Sequence, residues 1–344
     1  MPGSDEPAPL AADAAIAQAE LIRAVLEGDR RAVSRAITLV ESGRADHRRR
    51  AEHLVDALLP RSGGSIRIGI TGVPGVGKST LIEALGGLVT ERGCSVAVLS
   101  VDPSSALTGG SILGDKTRME TLSRSPRAYI RPSPARGAFG GVARRTRESI
   151  VILEAAGFDV VIVETVGVGQ SETLVADMTD LFVLLLLPGG GDELQGIKRG
   201  IMELADIVAV NKADDERLDA AGRTRADYGN ALRLTPRRYR DWQVPVLACS
   251  ARDGVGIEAL WNAVEAFVAA TRAEGAFHRR REAQQLGWFH EELNQGLVDL
   301  VRRDERLASR MKHAEAEVRA NRVSAAGAAR RLVEEFSRSR SHSS

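Results

Sequence analysis

The sequence predicts an α/β fold: a doubly wound, mostly parallel sheet flanked by helices, with a further helical segment at each end. The first observation is that the runs VVIV, LFVLLLL and IVAV contain only apolar residues, as strands covered by helices on both faces do. The second is that such runs alternate with helical patterns, which is typical of parallel sheets. The third is that helical periodicity alone precedes residue 60 and follows residue 271. The expected strands lie near residues 66–71, 95–101, 128–131, 159–164, 181–187, 206–210 and 244–249.

Three helices are expected before the sheet, in an N-terminal helical extension of residues 14–62. Their limits are Ala14 to Glu27, Arg31 to Val40 and Asp46 to Leu59. Their apolar stripes contain Ile16, Leu21, Ile22, Val25, Leu26, Val33, Ile37, Val40, Leu54, Leu58 and Leu59. We expect these helices to pack on the side of the sheet domain, residues 63–272, and to follow a mobile polar tail of residues 1–13.

The composition argues against several classes of protein. The 344 residues are 43% hydrophobic and carry 47 Lys and Arg against 46 Asp and Glu, a net charge of +1. Such a balance gives no support for a nucleic-acid or anionic-membrane partner. The two cysteines, Cys94 and Cys249, are expected to be buried thiols rather than a disulfide or a metal site. Because the sequence starts without a basic and apolar leader and no apolar run reaches about 18 residues, we expect no membrane span and a cytoplasmic location.

The first chemical motif is a phosphate-binding loop between the first strand and the next helix. It reads Gly72, Val73, Pro74, Gly75, Val76, Gly77, Lys78 and Ser79, followed by Thr80. Glycines allow successive backbone N–H groups to turn inward, so that the loop and the helix N-terminus cradle an anion. Lys78 would reach the β- and γ-phosphates in catalysis, and the Ser79 hydroxyl would bind Mg²⁺. The alternative is a glycine-rich turn without a ligand, but the flanking strand and helix favour a P-loop NTPase.

Acidic residues follow two further strands of the predicted sheet. Asp102 comes just after the apolar run of the second strand, and Glu164 ends the run FDVVIVE. Ligands of such sheets lie at the carboxyl ends of the strands, where a carboxylate can hold Mg²⁺ directly or through water. Each acid alone is equally consistent with a helix cap or a surface charge. Together with Ser79 they predict a Mg²⁺ site.

A third motif is expected to read the base of a nucleotide. The run NKAD places Asn211, Lys212 and Asp214 just past the sixth strand. A carboxylate there can accept hydrogen bonds from N1–H and the exocyclic amine of guanine, and adenine offers neither donor. Lys212 would lie along the ring, and Asn211 would support the other edge of the purine or the loop. After the last strand, a backbone N–H in the turn formed by Ser250, Ala251 and Arg252 would meet guanine O6. GTP and GDP are therefore the expected ligands.

Two segments are candidates for loops that respond to the γ-phosphate. One lies between Asp102 and Phe158, and the other is the run GGGDELQGIK, whose glycines favour movement; ordinary exposed loops are the alternative. The position that holds a water-orienting glutamine in Ras-like enzymes is Val168 here. We therefore expect slow hydrolysis that depends on a partner or on loop reordering. The candidates to complete the site are Asp115, Gln170 and Lys198.

The motifs together identify a family resemblance that covers most of the chain. The runs GVPGVGKST, SVDPSS, GDKTRM, SPARGAFGG, ETVGVGQSE, PGGGDELQGIKRG and NKAD resemble the MeaB/ArgK/MMAA family of P-loop GTPases. The resemblance implies a GTPase chaperone that gates cofactor loading into an adenosylcobalamin-dependent acyl-CoA mutase, usually methylmalonyl-CoA mutase, and protects it from inactivation. It implies GTP or GDP with Mg²⁺ as ligands and coupling to the mutase through residues 189–198. A cobalamin adenosyltransferase is a further partner to consider.

The segment after residue 272 is expected to form a helical arm, residues 273–336, before a disordered tail, residues 337–344. Two helices are predicted, over residues 278–300 and 304–336. The first carries an apolar surface made of Leu286, Trp288, Phe289, Leu293, Leu297, Leu300 and Val301. A short helical arm cannot bury such a surface alone, so it should pack on the sheet domain or on a second copy. The family resemblance favours a homodimer.

Two other functions compete with the mutase chaperone. One is a kinase or ATPase of a periplasmic lysine, arginine and ornithine transport system, a label that this family has carried. It would require ATP, whereas Asp214 favours guanine. The other is a metallochaperone GTPase, which would need a Cys/His cluster. The six histidines are scattered along the chain and neither cysteine lies near one in sequence.

Overall fold

The computed structural model describes residues 9–101, 119–132, 139–165, 171–189 and 199–341. The chain divides into two compact units, Met1–His278 and Arg279–Ser344. The first contains a sheet of seven strands in the order β3-β2-β4-β1-β5-β6-β7. The strands are β1 Ile66–Gly72, β2 Val96–Val101, β3 Ala128–Pro132, β4 Val160–Thr165, β5 Leu181–Leu186, β6 Ile207–Val210 and β7 Val246–Ala248. Every pairing between them is parallel, which confirms the predicted fold class.

Helices cover both faces of this sheet. They are α4 Lys78–Glu91, α5 Glu120–Arg124, α6 Phe139–Ala155, α7 Ser171–Ala176, α8 Arg199–Leu204, α9 Leu218–Arg233 and α10 Ile257–Ala273. On one face, alternate strand residues pack with side chains of α4 and α10, including Ile68, Val98, Ile162, Leu81, Leu85 and Leu260. On the other face, Leu184, Val208 and Val210 pack with Tyr228 of α9. Strands β5 and β6 contribute side chains to both apolar layers, which is why their sequences are apolar throughout.

The N-terminal helices are α1 Pro9–Leu26, α2 Arg30–Glu41 and α3 Ala45–Leu58, followed by a 3-10 turn at Leu59–Arg61. The first begins five residues before the predicted start, at a proline, a residue suited to the first turn of a helix. The prediction that Ile16 and Leu26 belong to a buried stripe is wrong, because both are exposed. Each lies five residues from the buried Leu21, about 140° around the helix, and so faces away from the packed side. Leu59 is exposed as well, in the 3-10 turn.

A buried ion pair holds the start of β1. Arg67 donates from Nε and Nη2 to the two carboxylate oxygens of Glu154 in α6, both at 2.8 Å. The Glu154 Oε2 atom also accepts a hydrogen bond of 2.8 Å from the backbone N–H of Gly63. Both charged groups are buried, and both carboxylate oxygens of Glu154 accept hydrogen bonds from Arg67, so the pair fixes α6 against the strand that leads into the phosphate-binding loop.

The second unit is helical. It contains most of α11 Ala276–Arg303, together with α12 Glu305–Arg319 and α13 Ala325–Ser341. The prediction of one helix over residues 304–336 is wrong. The chain breaks at Asn321, which adopts a left-handed conformation with φ 54°, and restarts where Ser324 Oγ accepts the N–H of Gly327 at 3.2 Å. Among the described helices of the whole chain, none is both long and apolar enough to cross a bilayer.

Candidate functional site

The phosphate-binding loop connects the end of β1 to the start of α4. Gly75 and Gly77 have φ values of 80° and 95°, which favour glycine because a Cβ would crowd the backbone. The Lys78 ammonium donates hydrogen bonds to the backbone oxygens of Gly72 at 2.8 Å and Val73 at 3.3 Å. The loop therefore holds a cation against its own first residues, next to the helix N-terminus.

Asn211 connects three loops of the site. Its Nδ2 donates a hydrogen bond of 2.8 Å to the backbone oxygen of Val76 in the phosphate-binding loop. Its Oδ1 accepts a hydrogen bond of 3.0 Å from the backbone N–H of Ala251, in the loop after β7. A Cβ at Gly77 would come within 2.6 Å of Asn211 Nδ2, so a larger residue at this position would displace the amide. Of the two roles predicted for Asn211, these contacts correspond to support of the loop.

The other two residues of the NKAD motif follow directly after β6. Lys212 has a φ of 60°, a conformation that non-glycine residues rarely adopt. If Gly77 carried a Cβ, that atom would lie 4.0 Å from Lys212 Cε, so the aliphatic chain of Lys212 runs beside the phosphate-binding loop. Asp214 is partly buried and precedes a 3-10 turn, but its side chain does not cap that turn. The carboxylate is thus not used as a helix cap.

The loop after β7 closes this side of the site. The backbone N–H of Ser250 donates to the oxygen of Val255 at 2.9 Å, and that of Ala251 donates to Asn211. Both N–H groups thus have acceptors within the protein, and the contact with guanine O6 stays a prediction. Arg252 points outward, with 85% of its side chain exposed, and its Nε lies 3.8 Å from a carboxylate oxygen of Asp253.

The carboxyl ends of β1 and β4 form the edge where Mg²⁺ is expected. Ser79 Oγ donates a hydrogen bond of 3.1 Å to Glu164 Oε1, and Glu164 is buried. One residue further along β4, the hydroxyl of Thr165 forms a hydrogen bond of 2.7 Å with that of Thr71. Hydroxyl and carboxylate oxygens are the donors that Mg²⁺ prefers. The Ser79 and Glu164 pair therefore fits this ion.

Several predicted site residues lie outside the described part of the chain. They are the metal candidate Asp102, the catalytic candidates Asp115, Gln170 and Lys198, and most of the loop at residues 189–198. Of the predicted metal set, the structure brings together Ser79 and Glu164. Of the predicted catalytic set, it places Lys78.

Known proteins match this chain in sequence over most of their length. A family model described as Methylmalonyl Co-A mutase-associated GTPase MeaB matches residues 33–306. The chain belongs to this family. A probable GTPase of Mycobacterium tuberculosis is 53% identical over 314 residues, which cover 91% of this chain and 94% of the relative. GTPase ArgK of Escherichia coli is 47% identical over 281 residues, which cover 82% and 85%.

Two further similarities extend the comparison. The mouse protein called Methylmalonic aciduria type A homolog, mitochondrial, is 46% identical over 289 residues, which cover 81% of this chain and 70% of the mouse protein. The crystal structure of an LAO/AO transport system kinase superposes with a TM-score of 0.75 and 37% identity, covering 93% of this chain and 97% of that one. The resemblance inferred from the motifs is confirmed.

As a member of the MeaB family, the chain is a GTPase and binds guanine nucleotide. P-loop enzymes transfer phosphoryl groups mainly by positioning and by charge stabilisation. Lys78 supplies the positive charge at the phosphate-binding loop, and the backbone N–H groups at the start of α4 supply the dipole. The Asn211 contacts fix the loop after β6 to the phosphate-binding loop and to the loop after β7.

Sequence reasoning missed the contacts that hold the site together. The hydrogen bonds from Asn211 to Val76 and from Ala251 to Asn211 join residues far apart in sequence, which no local pattern indicates. The prediction that both cysteines are buried is confirmed for Cys249 and wrong for Cys94, which is only partly buried. Burial raises the pKa of the Cys249 thiol to about 12, so the group stays neutral beside the Asn211 amide, with Sγ 3.8 Å from Oδ1.

Proposed function

We propose that the chain is a GTP-dependent chaperone of an adenosylcobalamin-dependent acyl-CoA mutase, methylmalonyl-CoA mutase in the first place. The observation that carries this proposal is the match of residues 33–306 to a family described as mutase-associated. The 46% identity with the mouse methylmalonic aciduria type A homolog supports it. In this role the chain gates cofactor loading and protects the mutase from inactivation. A cobalamin adenosyltransferase would supply the cofactor, and the complex would act in the cytoplasm.

The proposed chemistry is hydrolysis of GTP with Mg²⁺. Ser79, Glu164 and Asp102 would hold the ion, which supplies positive charge at the phosphates when bound. Lys78 stabilises the charge on the transferred phosphoryl group. Because Val168 occupies the position of a water-orienting glutamine, hydrolysis by the chain alone is slow. Asp115, Gln170 and Lys198 are the candidates to complete the site when the mutase is bound.

The proposed base recognition rests on the placement of Asp214. Its carboxylate comes just beyond β6 and does not cap the following turn, and it comes three residues after Asn211, whose amide donates to Val76 in the phosphate-binding loop. Guanine offers two donors to a carboxylate, N1–H and the exocyclic amine, and Lys212 flanks the ring. A carboxylate without these donors would lose hydrogen bonds in a partly buried place, which disfavours ATP.

The domain roles follow from the same proposal. Residues 63–272 carry out the nucleotide chemistry, residues 14–62 support the sheet domain, and residues 273–336 form a homodimer arm. Within the arm, α11 exposes large apolar side chains at intervals of three and four residues: Leu286, Phe289, Leu293, Leu297 and Leu300. Such spacing places them on one face of a helix, where a second copy of α11 can cover them.

A transport-system kinase is the second candidate, because a structure of that name superposes with a TM-score of 0.75. It predicts use of ATP and transfer of phosphate to a protein. A metallochaperone is supported less well. Among the described residues, no group of three or more His, Cys, Asp or Glu side chains is arranged to hold a metal ion.

One experiment separates these functions. The purified chain is mixed with methylmalonyl-CoA mutase from the same organism and adenosylcobalamin, and mutase activity is followed during prolonged turnover with GTP or ATP. We expect GTP to prolong mutase activity and ATP to have no effect, and an Asp214→Ala variant to lose the protection. Equal protection with ATP, or no change in the rate of mutase inactivation, would contradict the proposal. Transfer of labelled phosphate from ATP to a protein would favour the kinase.

A further inference from the structure

Ser100 is a buried hydroxyl that the site described so far does not use. It lies near the end of β2 and is 2% exposed, and among the described residues its Oγ has no hydrogen-bond partner. Buried side-chain hydroxyls nearly always have one, because an unpaired polar group loses its hydration without compensation. A buried hydroxyl of this kind therefore points to an interaction with an ordered water or an ion.

The position of Ser100 in the sheet indicates which group it serves. In the parallel register it pairs with Glu164 of β4 on one side and with Pro132 of β3 on the other. The preceding alternate residues on these strands all belong to the core that packs against α4: Val96, Val98, Ala128, Ile130, Val160 and Ile162. Because alternate residues of a strand share a face, Ser100 and Glu164 both lie on the α4 side of the sheet. The hydrogen bond from Ser79 to Glu164 supports this placement, since Ser79 belongs to α4.

The residues paired with Ser100 indicate which polar group it serves. Pro132 has no side-chain donor or acceptor, so the polar group paired across the strands from Ser100 is the Glu164 carboxylate. That carboxylate already accepts the Ser79 hydroxyl on Oε1. Mg²⁺ usually keeps several of its waters, and since those waters donate their hydrogens, they need acceptors from the surrounding protein.

We propose that Ser100 is a positioning residue of the magnesium site, whose hydroxyl hydrogen-bonds to a water of the ion's shell beside Glu164. This inference rests on the proposed Mg²⁺ site. Ser100 acts through the water and the carboxylate and does not touch the nucleotide. Its loss therefore lowers the affinity for Mg²⁺ and leaves nucleotide binding without Mg²⁺ unchanged.

The test measures release of a fluorescent N-methylanthraniloyl GDP from the full chain at a series of buffered free Mg²⁺ concentrations. For Ser100→Ala, the free Mg²⁺ concentration that gives half of the maximal slowing of release should be about tenfold higher than for the wild type. This is the lower end of the change in metal affinity that follows loss of an outer-shell partner. Its release rate in excess EDTA should equal that of the wild type. Ser149→Ala is the matched control: Ser149 is also buried, but its hydroxyl donates to the backbone oxygen of Arg145 within α6 at 2.8 Å. It should behave as the wild type.

A second measurement separates positioning from general damage. Without Mg²⁺ and nucleotide, Ser100→Ala should unfold at a temperature no lower than that of the wild type, because it removes a buried group that lacks a partner. With Mg²⁺ and GDP, the wild type should gain more thermal stability than the variant. A Ser100→Ala protein with wild-type Mg²⁺ dependence, or with release equally altered in EDTA, would overturn the inference.

Ser79→Ala distinguishes failure of this inference from failure of the metal site. If Ser79→Ala abolishes the response to Mg²⁺ while Ser100→Ala responds as the wild type, the role of Ser100 is refuted and the metal site stands. If Ser79→Ala also responds as the wild type, the proposed metal site is itself refuted.

Discussion

Asn211 Nδ2 donates a hydrogen bond of 2.8 Å to the backbone oxygen of Val76, and this bond joins the NKAD motif after β6 to the phosphate-binding loop motif after β1. The other end of the same amide accepts the N–H of Ala251 at 3.0 Å. Both bonds are buried, where a lost partner is costly because water cannot replace it. The three loops of the site therefore form one unit, held by a side chain that need not touch the nucleotide.

The first prediction concerns this amide. Asn211→Ala leaves the Val76 carbonyl and the Ala251 N–H without their partner, each at a cost of about 1–3 kcal/mol when buried. We expect a loss of unfolding free energy of about 2 kcal/mol or more by that reasoning, together with weaker binding of both GDP and GTP. Urea unfolding without nucleotide and titration with fluorescent GDP measure the two effects. Asn230→Ala, at an exposed position of α9, is the control and should change neither. Wild-type stability in Asn211→Ala would refute the linking role.

The second prediction concerns Gly77, which lies against Asn211. Gly77 and Gly93 both have left-handed backbones, with φ of 95° and 89°. A Cβ at Gly93 would have no neighbour within 4 Å, whereas one at Gly77 would approach Asn211 Nδ2 to 2.6 Å. Gly93→Ala should therefore cost about 1–2 kcal/mol for its backbone alone. Gly77→Ala should cost about 1–3 kcal/mol more, because it also displaces the amide.

Chemical denaturation of both glycine variants, without nucleotide, provides the comparison. The Gly93→Ala protein should also bind GDP as the wild type does, since α4 ends just before that residue and far along the helix from the loop. Equal losses of unfolding free energy in the two variants would contradict this prediction, because they would show that the Asn211 side chain can move aside at no cost.

The local parts of this structure could be predicted from sequence. Strands β4, β5 and β6 follow from uninterrupted apolar runs, and the phosphate-binding loop follows from residue spacing within a dozen positions, because both depend on neighbours along the chain. The bond between Asn211 and Val76 could not be predicted, since the two residues are 135 positions apart and only the packing of β1 beside β5 and β6 brings them together. The same holds for Arg67 and Glu154, 87 positions apart.

The prediction errors have physical causes of a similar kind. The periodicity of residues 304–336 continues across Asn321, although the chain turns there, because an asparagine can adopt a left-handed conformation at little cost. Ile16 is apolar but lies on the exposed side of α1, and sequence does not say which side of an alanine-rich helix will be packed. The function of Ser100 was also invisible, because a single serine at the end of an apolar run gives no pattern.

The third prediction tests base recognition at Asp214. An asparagine there offers one acceptor and one donor in place of two acceptors. It matches N1–H of guanine but not the exocyclic amine, whereas it matches both N1–H and the C2 carbonyl of xanthine. We expect Asp214→Asn to bind GTP at least about a hundredfold more weakly, as for other sites in which a polar pair is mismatched, and to bind xanthosine triphosphate better than the wild type does. Competition against fluorescent GDP measures both.

Asp219→Asn provides the matched control for this substitution. Asp219 is exposed in the first turn of α9, so the same loss of charge there should leave nucleotide preference unchanged. If Asp214→Asn kept the wild-type preference for GTP, Asp214 would not be the residue that reads the base.

The fourth prediction concerns the Cys249 thiol, whose pKa is raised by burial to about 12. In the unfolded chain a cysteine thiol has a pKa of about 8.5. A raised pKa in the folded state stabilises the fold fully below about pH 8.5, and this contribution declines as pH rises from there to about pH 12. As pH rises across that interval, the free energy of unfolding of Cys249→Ala should fall less than that of the wild type, because alanine has no thiol to ionise. Urea unfolding at a series of pH values measures both.

Labelling gives a second readout of the same thiol. In a Cys94→Ser background, Cys249 should react with a thiol reagent near neutral pH only slowly until denaturant is added, because the thiolate is the reactive form. Rapid labelling of the folded protein would contradict a buried Cys249 thiol with a raised pKa. The Cys94→Ser change is suitable because Cys94 lies outside the site, between α4 and β2.

The fifth prediction concerns the apolar face of α11. Leu286 and Phe289 are 61% and 59% exposed, and Leu293, Leu297 and Leu300 continue the same face. Large apolar side chains left in water at regular helical spacing favour association with a matching face, so we expect a homodimer in solution. The double variant Leu293→Lys, Leu297→Lys should be a folded monomer with unchanged helix content. Gln295→Lys, on the opposite side of the helix beside Asp299, should remain a dimer. Sedimentation equilibrium measures the mass of each protein. If the wild type were a monomer at concentrations that saturate nucleotide binding, the homodimer would be refuted, and a different partner would have to cover this face.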